Sequence, residues 1–307
     1  MNKQIIKIIL ISLIISISIS FYYINKFDRY EFSSETNQNH AMVKSDPAKF
    51  WVRAHNIKQQ LNSGINYFKT GEEYRIPYLP SKILYLFSII TNLKFYDENL
   101  DLIIDSNSQT IDEIKIGKNK VNFLIFQTIL YYLSIIFLYT KIKKKINYKK
   151  CLFIILFLSL EPTILFYHSS FWSESIFFSI LIFCISLIYD EKISFSKNFI
   201  LGLLLGLLFL QRSVALYYIF FVSIYYIFLY KKKSVKPILI TFIGYMIIVS
   251  FLGFHNFKRS GTFYIEPTQA KDGFYNYLVK NVLSKSQNIE TKDVQIILDK
   301  ESKIWIK

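Results

Sequence analysis

The chain has 307 residues, of which 52% are apolar and 18% aromatic, and it carries a formal net charge of +15. This apolar content excludes an ordinary soluble domain and predicts an all-α polytopic membrane protein. The lysines stand in short blocks between apolar stretches, as membrane-orientation signals do, so we expect no binding to nucleic acid. Both cysteines, Cys151 and Cys184, lie inside apolar stretches, which argues against a disulfide framework.

The amino-terminal apolar run predicts a first membrane span at about residues 5–24. Lys3 and Lys7 place the amino end of this helix in the cytoplasm. Ser18 and Ser20 precede bulky aromatic residues, which is a poor cleavage site, so we expect the helix to be retained.

An external loop at 25–120 follows and is predicted to carry two surface helices, 46–64 and 77–93. In the first, Asp46 is the N-cap, Pro47 takes the first helical position and Gly64 ends the helix. Apolar residues at a spacing of three to four make one face that suits the outer membrane interface. These residues are Phe50, Trp51, Ala54, Ile57 and Leu61.

The second surface helix, 77–93, is apolar enough to resemble a membrane crossing. Counting it as one would place both lysine blocks, 141–150 and 231–236, outside the cell, against the preference of lysine-rich loops for the cytoplasm. We therefore predict that this helix lies at the outer surface, or dips in and returns, with Pro77 and Pro80 at its start.

Six further apolar stretches complete a predicted module of seven transmembrane helices over residues 1–255. They are 121–140, 151–168, 172–189, 198–211, 213–230 and 236–255. This count puts both lysine blocks in the cytoplasm and the loop 25–120 outside. Residues 256–307 are then a short external C-terminal tail. We expect a multi-pass protein of the cytoplasmic membrane, with its site on the periplasmic or external face.

Charged residues at the predicted outer face carry the functional expectation. Asp46 caps its helix or acts as a base, and the two roles are compatible. Arg75 offers a planar fork of donors to a phosphate or contacts lipid headgroups. Arg212 follows a short span, and a lipid phosphate is its favoured partner, with snorkelling to the surface as the alternative. Glu161, beside Pro162 within a span, is expected to accept hydrogen bonds from neighbouring helices without a chemical role.

The order of these features resembles the GT-C type glycosyltransferases, polytopic enzymes that take a sugar from a polyprenyl-phosphate carrier. Their first external loop is similar to the pattern formed by Asp46, Phe50, Ala54, Gly64, Arg75, Pro77 and Pro80. The stretch "SLEPTILFYHSSFWSESIFF" looks like the second external loop, with Glu174 as its acid. The stretch "GLLLGLLFLQRSVAL" resembles a glycine-rich span that ends in an arginine, here Arg212, and "FHNFKRSGTFYIEP" resembles the entry into the external part.

This superfamily includes the lipid A aminoarabinose transferase and the protein O-mannosyltransferases. Within it, the chain is most similar to the bacterial group that modifies lipopolysaccharide. The resemblance implies a GT-C-like module that moves a sugar from a polyprenyl-phosphate donor to a lipid, glycan or protein acceptor, with inversion in a single displacement. Asp46 would remove the acceptor proton, and Glu174 would orient the acceptor or assist Asp46. The residues expected to bind substrate are Arg75, Arg212, Tyr67, Lys258 and Arg259.

Three alternatives stay open at this point. No metal ligand is predicted, because His168 and His255 show no spacing such as H-E-x-x-H, and a divalent metal is left open as the one candidate cofactor. A transporter or lipid flippase would also bury charges among helices, and we would expect it to show two related halves or broken helices at mid-depth. A catalytically silent membrane assembly partner is the third reading.

Overall fold

The computed structural model describes residues 3–26, 46–67, 78–93, 120–169, 171, 173–190, 193–265, 279–287, 290 and 293–294. Within these ranges the regular structure is entirely helical, which confirms the predicted all-α class. The helices are α1 Lys3–Lys26, α2 Asp46–Asn62, α3 Tyr78–Thr91, α4 Lys120–Ile142, α5 Tyr148–Leu160, α6 Pro162–His168, α7 Ser173–Tyr189, α8 Phe195–Gln211, α9 Tyr218–Tyr230, α10 Val235–Ser260 and α11 Lys280–Gln287. Short 3₁₀ segments, Ser213–Tyr217 and Lys231–Ser234, precede α9 and α10.

The chain divides into two units. The first comprises Met1–Glu72 and Tyr78–Ile265 and contains α1 to α10. The second comprises Glu73–Pro77 and Glu266–Lys307, and in its described part the short helix α11 is mostly exposed. The helix α10 continues to Ser260, and the division of the chain at residue 255 into a membrane module and an external tail stays a prediction.

Three helical runs of the described residues are long and apolar enough to cross a membrane, namely Gln4–Tyr22, Val121–Ile142 and Ser213–Arg259. The pair α5 and α6 makes a fourth if the two are counted as one bent span. The helices α7 and α8 have 17 residues each, or about 25 Å at 1.5 Å per residue, which is less than a hydrocarbon core of about 30 Å. The structure therefore supports a helical membrane protein, and the number of seven crossings stays a prediction.

The longest run, Ser213–Arg259, contains two antiparallel helices rather than one. Lys231 has a φ of 48°, which reverses the chain between α9 and α10. The hydroxyl of Tyr226, late in α9, donates to Asn198 Oδ1 at the start of α8, 2.9 Å away. The hydroxyl of Tyr245 in α10 lies 3.5 Å from the carbonyl oxygen of Leu216, just before α9. These contacts make α9 the returning arm between α8 and α10.

The helices α8 and α10 run parallel and touch through glycines. A Cβ on Gly202 would collide with the backbone carbonyl of Thr241, and one on Gly244 would come within 2.5 Å of Phe199 O. A Cβ on Gly206 would lie 2.6 Å from Ile248 Cβ. Glycines spaced by four residues let two helix backbones approach closely, as in membrane helix pairs. This contact aligns the end of α8 with the last turns of α10.

Several lysine-rich segments meet at one end of the first unit, which we call the lysine end. It is formed by the starts of α1, α5, α8 and α10 and by the ends of α4 and α7. The hydroxyl of Tyr148 donates to Gln4 Oε1 over 2.8 Å, which joins α5 to the start of α1. Lys141 pairs with Asp190 over 2.8 Å, and the Nζ atoms of Lys145 and Lys197 donate to the carbonyls of Tyr189 and Asp190. Cations here stabilise the negative end of the α7 dipole.

The opposite end, which we call the arginine end, carries the last turns of α8 and α10 and the first turn of α7. Both surface helices lie here. Tyr78, which begins α3, lies 5.2 Å from His255 between ring centroids, and Phe87, later in α3, lies 5.3 Å from Phe123 near the start of α4. Because both parts of α3 contact residues of the same end, α3 does not run along the bundle from one end to the other.

The predicted span 151–168 is broken in the structure, with a bend of 46° between α5 and α6. Pro162 has no N–H, and the preceding Glu161 is extended with a φ of −61° and a ψ of 118°. Its carboxylate accepts a hydrogen bond from Ile164 N over 2.7 Å, so Glu161 caps α6 rather than bonding to a neighbouring helix as expected.

The carbonyls that this break leaves at the end of α5 are bound by hydroxyls from α4. The hydroxyl of Tyr131 donates to Leu158 O over 2.6 Å, and that of Tyr132 donates to Ser159 O over 3.0 Å. Free carbonyls inside a membrane are costly, so these two bonds explain how the break is tolerated.

Candidate functional site

The arginine end is organised by two consecutive residues of α7 and two at the end of α8. The side-chain amide of Gln211 donates to the carbonyl of Ser173 over 2.8 Å, and Arg212 forms an ion pair with Glu174. The hydroxyl of Ser173 also donates to Glu174 Oε2 over 3.2 Å. The side chain of Glu174 is 12% exposed and that of Arg212 is 41% exposed, so the pair lies where the bundle meets its surroundings.

The backbone explains why Arg212 reaches this position. The helix α8 ends at Gln211, and Arg212 is extended, with a φ of −151° and a ψ of 130°, before the following 3₁₀ segment. Its partner in the structure is Glu174. The sequence predicted either a lipid phosphate or snorkelling for Arg212 and did not indicate this ion pair. The two predicted site residues are therefore brought together, although 38 positions separate them in the chain.

The surface helix that begins with Asp46 packs against this same region. Trp51 in α2 lies 4.8 Å from Phe171 between ring centroids, and both rings are buried. Phe171 lies two residues before the start of α7 and three before Glu174. Asp46 is the first residue of α2, one position later than its predicted place as N-cap would require, and its side chain lies outside the part that the structure describes. The contact of Trp51 with Phe171 brings the first and second predicted external loops together.

A second cluster at the arginine end combines cations with aromatic rings. Lys82 Nζ in α3 lies 4.4 Å from the ring centroid of Tyr67 and 5.4 Å from that of Tyr78. The rings of Tyr67 and Tyr78 both approach His255, at 6.0 Å and 5.2 Å between centroids. Arg259 lies close enough for its charge to lower the pKa of Lys82, and its Nη2 donates to the hydroxyl of Tyr264 over 2.7 Å. We call this group, Tyr67, Tyr78, Lys82, His255 and Arg259, the cation–aromatic cluster.

The electrostatics of the cluster favour a negative ligand. Lys82 is only 4% exposed, and burial lowers its pKa from 10.5 to about 8, with the positive charge of nearby Arg259 as the second cause. At neutral pH the lysine is still charged. An anion beside it would be stabilised for the same reasons that its own charged form is destabilised.

The predicted substrate-binding residues are placed unevenly. Tyr67 and Arg259 belong to the cation–aromatic cluster, whereas Lys258 is exposed, with its Nζ 5.4 Å from the ring centroid of Phe254. Arg75 lies outside the described residues. The sequence analysis did not predict Lys82 as a site residue. Its position as the single charged residue of the apolar helix α3 could have indicated it.

The histidine at the end of α6 has a structural environment. His168 is completely buried, its Nδ1 lies 2.7 Å from Ser175 Oγ, and its ring is 4.6 Å from that of Tyr131. The amide of Gln127 donates to His168 O over 3.0 Å and so binds the end of α6. Among the residues that the structure describes, no group of three or more His, Cys, Asp and Glu side chains could hold a metal ion.

Searches of protein-family models, of curated proteins and of solved structures found nothing that matches this chain.

Proposed function

We propose that this chain is a membrane glycosyltransferase that moves a sugar from a polyprenyl-phosphate carrier to a lipid, glycan or protein acceptor at the outer face of the cytoplasmic membrane. The observation that carries this proposal is the presence of buried Lys82 beside Arg259, and of Arg212 in its ion pair with Glu174, at the end of the bundle opposite the lysine end. A lipid-linked phosphate reaches a protein at the membrane surface, and these charges lie beside the two surface helices.

The chemistry follows from the charges. Asp46 takes the proton of an acceptor hydroxyl or amine while that atom forms a bond to the anomeric carbon. The bond from this carbon to the phosphate oxygen breaks, the anomeric centre inverts, and polyprenyl phosphate leaves with the electron pair. Negative charge grows on the leaving phosphate, and Arg212, Lys82 and Arg259 stabilise it, with Arg75 as a further predicted donor.

The ion pair defines separate roles for Glu174 and Arg212. Glu174 holds the guanidinium of Arg212 in place, so it acts as a positioning residue for Arg212. Removing one electrostatic donor to a developing oxyanion typically costs about 3 kcal/mol, or roughly 100-fold in rate. We expect Arg212→Ala to lower kcat/KM by about this factor, and Glu174→Gln to lower it less.

The experiment is mass spectrometry of envelope glycans from cells that express the chain, from cells that lack it, and from cells that carry variants. The cells supply donor and acceptor, so neither has to be known beforehand. Asp46→Asn should abolish the modification while the protein still reaches the membrane and elutes as the parent does. Asp190→Asn, an acid at the lysine end, is the matched control and should keep it.

A modification that persists at the parental level in Asp46→Asn would overturn the proposed base. If cells that express the chain and cells that lack it have the same glycans, the glycosyltransferase proposal itself is overturned. A double variant, Glu174→Gln with Arg212→Ala, tests the positioning role, because it should be no slower than Arg212→Ala alone if Glu174 acts through the arginine.

A further inference from the structure

The lysine end carries more lysines than those that form hydrogen bonds or ion pairs within the described part of the bundle. Three of its lysines have internal tasks, since Lys141 pairs with Asp190 and Lys145 and Lys197 bind the last carbonyls around α7. Eight others are exposed and come from two segments far apart in the chain. They are Lys143, Lys144, Lys149, Lys150, Lys231, Lys232, Lys233 and Lys236.

The helix packing brings these two segments to the same end. The block around α4 and α5 joins the end of α7 through Lys141 and Lys145. The block before α10 is fixed to this end because α10 runs parallel to α8, whose start holds Lys197. Within the described part of the chain none of the eight exposed lysines forms an ion pair, and Asp190, the acid described at this end, is already bound to Lys141.

Each lysine block continues directly into apolar side chains that face outward. Phe153 and Phe157 follow Lys149 and Lys150 on α5, at 70% and 60% exposed. Phe228, three residues before Lys231, is 78% exposed. The cations thus lie at the end of the bundle, and exposed apolar groups follow one or two helical turns further along it. A lipid has the same order, because its phosphate lies at the membrane surface and its acyl chains lie deeper. A soluble acidic partner would match only the charges.

We propose that the lysine end is a binding surface for anionic phospholipid headgroups of the leaflet in which it lies. The two lysine blocks hold the phosphates, and the outward faces of α5 and α9 contact the acyl chains of the same lipids. This surface lies at the opposite end of the bundle from the proposed site of glycosyl transfer and does not depend on that activity.

The test measures the thermal unfolding midpoint of the full chain, purified in a zwitterionic detergent, during titration with phosphatidylglycerol or phosphatidylcholine. We expect phosphatidylglycerol to raise the midpoint at lower concentrations than phosphatidylcholine does, and the difference to shrink in high salt because these exposed charges are screened. Each lysine near an anionic surface strengthens binding roughly fivefold, so losing four should weaken the apparent affinity by roughly several hundredfold at low salt.

Two sets of variants make the result specific. Replacing Lys143, Lys144, Lys149 and Lys150 together by Gln should remove most of the preference for phosphatidylglycerol, as should the same change at Lys231, Lys232, Lys233 and Lys236. The matched controls replace the same lysines by Arg, which keeps the charge and should keep the preference. Equal responses to the two lipids in the parent, or an undiminished preference in both Gln variants, would overturn the proposal. Retention on an acidic protein or nucleic-acid matrix without a lipid preference would also overturn it.

Discussion

Lys82 offers the sharpest test of the electrostatics at the arginine end, because stability and binding should respond to its replacement in opposite directions. The fall of its pKa from 10.5 to about 8 corresponds to about 3 kcal/mol of unfavourable free energy for the charged side chain at neutral pH. Methionine has a similar length and carries no charge. Its introduction removes this cost but also removes the contacts with the rings of Tyr67 and Tyr78, each of which contributes about 0.5–1 kcal/mol.

We therefore expect Lys82→Met to raise the free energy of unfolding at pH 7 by about 1–2 kcal/mol. Denaturant or thermal unfolding of the detergent-solubilised full chain measures the change. Lys149→Met, at an exposed position of the lysine end, should stay within about 0.5 kcal/mol of the parent and serves as the control. A variant at Lys82 that unfolds more easily than the parent at pH 7 would refute the reasoning.

The same shift predicts a pH dependence with a definite sign. Below pH 8 the lysine is protonated in both the folded and the unfolded chain, so the penalty is fully present. Between about 8 and 10.5 the folded protein has released this proton while the unfolded chain still holds it, and stability rises with pH. The advantage of Lys82→Met over the parent should thus shrink across this window. Under the proposed function, the same variant should bind the lipid-linked donor more weakly.

Three further outcomes follow from the packing. Gly202→Ala should destabilise the protein by roughly 1–3 kcal/mol, and Gly206→Ala should destabilise it less, as measured by thermal unfolding. The added methyl group meets the backbone of Thr241 in the first variant and the side chain of Ile248 in the second. Glu161→Ala removes the cap of α6 and should cost about 1 kcal/mol, whereas Glu161→Gln, which keeps an acceptor, should cost less. Tyr131→Phe leaves Leu158 O without its donor and should cost about 1–2 kcal/mol in the same measurement, and an unchanged midpoint would show that this bond is not needed.

Local sequence signals predicted the bounds of the two surface helices well, although the apolar face of the first, with Phe50, Trp51, Ala54 and Ile57, is buried inside the protein rather than free for the membrane interface. The proline after Asp46 and the apolar spacing through Trp51 gave a helix at 46–64, and α2 covers Asp46–Asn62. The helix 77–93 appears as Tyr78–Thr91, and its contacts keep both parts at the arginine end. These features depend on residues within one or two turns of each other, so the sequence contains the information for them.

Features that depend on distant residues were beyond the sequence. The ion pair of Glu174 with Arg212 joins α7 to the end of α8, and nothing in either local stretch selects the other as a partner. Lys82 acquires its depressed pKa from burial and from Arg259 on a different helix. The bend at Glu161 is an intermediate case, because Pro162 signals it, but the hydrogen bonds from α4 that make it tolerable are visible only in the fold.

The glycine contact between α8 and α10 has a consequence for ligand size. Because the two backbones touch at Gly202 and Gly244, neither helix can slide or separate without losing that contact. Arg212 follows the last residue of α8, and Arg259 lies in the last turn of α10, so the distance between their backbones is set by this rigid pair. Under the proposed function, a donor that contacts both arginines has to span the backbone separation that this helix pair sets.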